Sequence, residues 1–100
     1  MEITLKINGE DKTFTQSFIP ARIFRKTIVI QKKLQGEIDE TVLDALIDYI
    51  VTLFGKQFSV DELYDGLDAR RLLDAAIKCV NEVVFGSSDA VGAEEVDPNA

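Results

Sequence analysis

Residues 54–77 read FGKQFSVDELYDGLDARRLLDAAI, and this stretch decides how the second half of the chain folds. Gly55 interrupts an apolar run, and glycine stops helices because it takes the left-handed conformation without penalty. Ser59-Val60-Asp61-Glu62 has the spacing of a capping box, with Phe58 and Leu63 placed as a hydrophobic staple around it. Gly66 interrupts again, and Asp68 is placed to cap a further helix. Gly55, Ser59, Glu62 and Gly66 therefore form an expected hinge that folds two longer helices back on one another. If Gly66 holds a positive φ, a β-branched replacement there is costly. The same geometry accounts for Asp61, Glu62, Asp65 and Asp68 as caps and first-turn acids rather than as chemistry.

On the C-terminal side, Leu72, Leu73, Ala76, Ile77, Val80, Val83 and Val84 recur at helical spacing, which predicts a helix over residues 69–85. Cys79 lies in that pattern as a small packing residue. On the N-terminal side, Asp39 is placed to cap a helix over 40–54 whose apolar positions cover most of its circumference. Only Asp44 and Asp48, with Thr41 and Thr52, mark a wet stripe. A helix so apolar is central to its domain or buried in a contact between subunits.

Before it, Ala21 to Gln35 carries apolar residues at near-helical spacing, and Pro20 suits a first helical turn. The run Thr27-Ile28-Val29-Ile30 is β-branched, so a strand over Lys26 to Gln31 competes with the helix at 20–35. Earlier still, Ile3, Leu5 and Ile7 alternate with polar residues, Asn8-Gly9 suits a tight hairpin turn, and alternation resumes through Phe18. The expected fold is α+β, an N-terminal β-hairpin over 2–18 packed on a bundle of three to four helices at about 20–35, 40–54, 60–65 and 69–85. Residues 1–86 would form one domain. Residues 87–100, small, polar and acidic, read as a disordered tail.

Composition narrows function by exclusion. The 100 residues include no histidine and one cysteine, which removes Ser–His and Cys–His catalysis, Cys/His zinc sites and internal disulfides within one chain. No phosphate-binding glycine loop occurs. Asp61, Asp65 and Gly66 lack the ligand alternation of a calcium loop. The acid pair Asp44/Asp48 reads as a solvated stripe. The expectation is a protein with no catalytic residues, cofactor or metal. The most apolar run, Val42 to Phe54, contains two acids and falls short of the ~20 residues of a spanning helix. No membrane role is expected, and a soluble cytoplasmic protein is the default.

The net charge is −7 but unevenly placed. Lys12 to Gly36 holds six basic residues and no acid, whereas Glu37 to Asp68 holds nine acids against Lys56 alone. An acidic protein repels phosphate backbones, and the basic segment lacks interleaved aromatic platforms, so nucleic acid is a disfavoured partner. Arg22, Arg25, Lys26, Lys32 and Lys33 are instead candidates for contact with an acidic surface, including that of another copy. Tyr49, Phe54 and Phe58 are the candidate apolar contacts. Together these features predict self-association, with basic and acidic segments pairing head to tail.

Two stretches, MEITLKINGEDKTFTQSFIPAR at 1–22 and FGKQFSVDELYDGL at 54–67, in the order hairpin–helix–helix–hinge–helix–acidic tail, resemble the tail assembly chaperones of long-tailed phages and prophages of Gram-positive bacteria. The resemblance implies a non-enzymatic protein of the host cytoplasm, absent from the mature virion. It implies binding to the tape measure protein, keeping it soluble until tail tube subunits replace the chaperone. Tail tube protein is thus a second implied partner. It further implies that a frameshifted extension would attach at the acidic tail. A ubiquitin-like β-grasp adaptor also opens with a hairpin and a helix, and is the alternative.

Overall fold

The computed structural model describes residues 1–86. The chain opens with β1 (Glu2–Ile7) and β2 (Glu10–Thr15), paired antiparallel with Ile7 opposite Glu10 and Glu2 opposite Thr15. Asn8 and Gly9 both take positive φ, 54° and 80°, as a two-residue turn of the type that matches strand twist requires. A hydrogen bond between the Thr4 and Thr13 hydroxyls ties the exposed face across the strands. The alternation through Phe18 overstates β2. The last rung is Gln16 N–H to Met1 O, residues 17–19 have no strand to pair with, and Phe18 is 74% exposed.

Four α-helices follow: α1 (Arg22–Gln35), α2 (Glu40–Leu53), α3 (Val60–Gly66) and α4 (Leu72–Phe85). The β-branched run is helical, because packing against α2 and α4 outweighs propensity. Ile23, Thr27 and Ile30 form its buried edge. Pro20 lies in the turn before α1, its carbonyl accepting from the N–H of Ile23. The helix expected from residue 69 begins as a single 3-10 turn, Ala69–Arg71, before α4. With two strands followed by four α-helices, the fold is α+β, and the described residues offer no further strands for a β-grasp sheet.

Central position, one of the two readings of α2, is what the structure shows. Leu46, Ile47, Tyr49, Ile50, Val51 and Leu53 are buried, and α2 packs on α1, α3 and α4. Its exposed stripe is Thr41, Asp44 and Asp48, and Asp39 accepts from the N–H of Val42 at its start. Its end is a full Schellman motif. Gly55 N–H donates to Thr52 O and Lys56 N–H to Val51 O, with Gly55 at φ 68°.

The capping box is present in both directions. Glu62 N–H donates to Ser59 Oγ at 3.0 Å, and Ser59 N–H donates to Glu62 Oε1 at 2.8 Å. Ser59→Ala is therefore expected to lower stability by ~1 kcal/mol, measurable as a thermal shift that Ser59→Thr largely spares. Gly66 serves the hinge for a reason other than positive φ. It is the last residue of α3, and a Cβ there would lie 2.8 Å from Lys6 O and 3.2 Å from Leu5 Cβ. It is the point where α3 is laid directly on β1.

Candidate functional site

The three aromatic side chains expected at a partner contact are occupied by the fold. Phe54 is 0% exposed, Tyr49 2% and Phe58 3%. Phe58 meets Phe14 of β2 edge-on at 4.9 Å between ring centroids, and Phe54 at 5.7 Å, which joins hairpin to helices. Tyr49 is tied to α1 by a buried hydrogen bond of 2.6 Å between its hydroxyl and Thr27 Oγ1. Because the Thr27 hydroxyl donates its single proton to Ile23 O at 2.9 Å, the Tyr49 hydroxyl is the donor. Burial chiefly pushes the Tyr49 pKa up, so it stays a neutral donor. These rings are buried within the fold of the single chain.

The basic residues stand where a partner can reach them. Arg22, Arg25, Lys26 and Lys32 are exposed and Lys33 is half-buried. None of the five enters an ion pair among the described residues. At about 100° per residue, Phe24 and Ile28 adjoin on the outer side of α1 with Arg25 and Lys32 beside them. Beyond these come Val29 and then Arg22, Lys26 and Lys33. Phe24 is 42% exposed, Ile28 41% and Val29 52%. The helix thus buries its Ile23–Thr27–Ile30 edge and turns a mixed apolar and cationic face outward.

These exposed apolar residues are not among the candidate contacts read from the sequence. Phe24 and Ile28 are among the apolar residues at near-helical spacing in α1, as Leu73 and Ile77 are in α4. All four are exposed by two-fifths or more. The available signal was stripe width: α1 and α4 both carry more apolar positions than one buried edge can use.

The acids of α2 and α3 form a second face. Asp44 and Asp48 on α2 and Asp61 and Asp65 on α3 are exposed, interspersed with Val60 and Tyr64. The Tyr64 hydroxyl donates to Asp44 Oδ1, linking the two helices. Asp68 caps the 3-10 turn and receives Arg70 through its backbone and guanidinium, which hold its carboxyl down at about 2. These carboxylates are caps and solvated groups. Among the described residues, no group of three or more metal-ligating side chains is assembled. Cys79 is buried, and desolvation pushes its thiol up to about 12, so it packs without reacting. No helix among the described residues is long and apolar enough to cross a membrane.

The arrangement suits protein contact: two charged faces of opposite sign, each studded with apolar side chains, on a chain whose core is complete. No curated protein and no solved structure matches the chain. A family model described as phage tail chaperone protein matches residues 1–99, which is nearly the whole sequence. This chain belongs to the phage tail chaperone family.

Proposed function

We propose that the protein is a non-catalytic tail assembly chaperone that binds the tape measure protein and keeps it soluble while the tail is built. It would work in the host cytoplasm and be absent from the mature virion, with tail tube protein as the partner that displaces it. The observation that carries this reading is the outer face of α1, where Phe24, Ile28 and Val29 are exposed among five cations. A long helical client rich in apolar stripes needs such a surface, and exposed apolar patches mark interaction sites. The acidic remainder of the chain supplies the solubility that a holdase lends its client.

The experiment is affinity capture of the tagged chain from phage-infected cells, with the tape measure protein identified in the eluate and the chaperone sought in purified virions. Capture of the tape measure protein by wild type and not by Phe24→Glu/Ile28→Glu supports the reading. Its absence from the eluate, or stoichiometric chaperone in the virion, counts against it.

Self-association is part of the same proposal. The α1 face of one copy is complementary in charge to the Asp44, Asp48, Asp61 and Asp65 face of another. The two faces are carried by different elements, α1 in one case and α2 with α3 in the other, so such a contact is heterologous and generates a ring or an open array. Charge sets orientation more than affinity here. Reversing Arg25 and Lys26 to glutamate is expected to reduce the sedimenting species to monomer, and added salt to do the same in wild type. A wild-type chain that stays monomeric at every concentration and salt would rule this contact out.

A further inference from the structure

The α1 face has a candidate occupant within the chain itself. Five of the 11 basic residues sit in α1, which contains no acid. Residues 87–100 carry Asp89, Glu94, Glu95 and Asp97 and no base. We propose that the outer face of α1 is a docking surface for this acidic stretch, so that the chain carries its own competitor for the surface that the proposed function assigns to the client.

Reach allows it. The stretch departs from Gly86 directly after α4, and α4 packs along α1. Glu94 to Asp97 lie 8 to 11 residues past Gly86, which permits up to ~26–36 Å at ~3.3 Å per residue. The 14 residues of α1 span about 21 Å. Tethering converts a weak ionic contact into an intramolecular one, at an effective concentration on the order of millimolar.

The nearest rival destination is less suited. Gly86 also borders a groove of about 1150 Å³ between residues 1–4 and α4, where Arg71 and Lys78 offer positive charge. Glu2, Asp74 and Glu82 line the same groove, and Glu82 already lies 3.8 Å from the Met1 ammonium. That groove is balanced in charge, whereas α1 is not. The proposal concerns the free chain and stands or falls separately from tape measure binding.

The test uses the full chain with Ala100→Cys carrying a nitroxide; the buried Cys79 thiol does not compete for the label. At low ionic strength, amides from Arg22 to Lys33 are expected to lose most of their intensity to paramagnetic broadening. Raised salt restores them, as does the variant Asp89→Asn/Glu94→Gln/Glu95→Gln/Asp97→Asn. Labelled chain mixed with isotope-enriched unlabelled chain should show no broadening at high dilution, which assigns the contact to one molecule. Unaffected α1 amides would overturn the proposal. So would broadening that survives neutralisation of the four acids, broadening centred on Arg71 and Lys78, or broadening seen only between molecules.

Discussion

Gly66→Val is expected to destabilise the chain by about 2–3 kcal/mol or more, at the upper end of what overpacking costs. The reason is distance rather than backbone conformation. A Cβ at residue 66 would stand 2.8 Å from Lys6 O and 3.2 Å from both Lys6 N and Leu5 Cβ. Two of those atoms are strand backbone, which cannot swing aside as a side-chain end can. Leu5 itself is 0% exposed, so the strand has no slack toward the core. Relief therefore means lifting α3 off β1, with Leu63 and Phe58 losing cover. Gly66→Ala is expected to cost less but to move in the same direction. Gly55 makes the internal comparison: a Cβ there meets only the Gln16 amide, at 3.5 Å, and the cost lies in its φ of 68°. Asparagine, which tolerates that region, should thus be milder at 55 than at 66. Denaturant unfolding reads both. An unchanged midpoint for Gly66→Val would mean that α3 does not rest on β1.

The second large effect belongs to Phe54→Ala, expected to cost about 3–5 kcal/mol. Phe54 is the C-cap of α2 and 0% exposed. Its ring contacts Phe58, which in turn contacts Phe14, so removal opens the seam between hairpin and helices. Against a typical total of about 5–15 kcal/mol for a domain, that loss is severe. The substitution also separates two roles that sequence could not. A ring reserved for a partner can be cut back with little effect on melting and a large effect on binding. A core ring does the reverse at the first step, through unfolding. A wild-type melting temperature for Phe54→Ala would show that the ring is not needed at home.

Much of this fold was legible because local chemistry and tertiary contact agree. Asn8-Gly9, the Ser59/Glu62 box and Gly55 are each explained by hydrogen bonds within a few residues, and the structure contains them as read. Boundaries that depend on a distant partner were less legible. β2 keeps its alternating pattern past Thr15, but alternation states nothing about whether a partner strand continues. Gly66 shows the same limit, since its need for a missing side chain comes from Lys6, sixty residues away in sequence.

Exposure at the candidate site was half legible for a related reason. Charge stays on the surface almost regardless of fold, so the α1 cations are where the sequence placed them. Aromatic residues lack that constraint. Tyr49, Phe54 and Phe58 went to the core, while Phe24, Ile28 and Val29, in a helix chosen against a β-branched bias, stayed outside. Only the packing of α1 on α2 and α4 decides which of its apolar positions remain uncovered. The tail of the sequence expected to be disordered, residues 87–100, lies outside the described residues.

As proposed above, this family member holds the tape measure protein in solution through the α1 face. The most direct test is the solubility of the tape measure protein from the same phage, made alone and together with the chain in the same cells. Tape measure protein that is insoluble alone, soluble beside wild type and insoluble again beside a folded Phe24→Glu/Ile28→Glu variant is the predicted result. Tape measure protein whose solubility is unchanged by the chaperone would contradict the account.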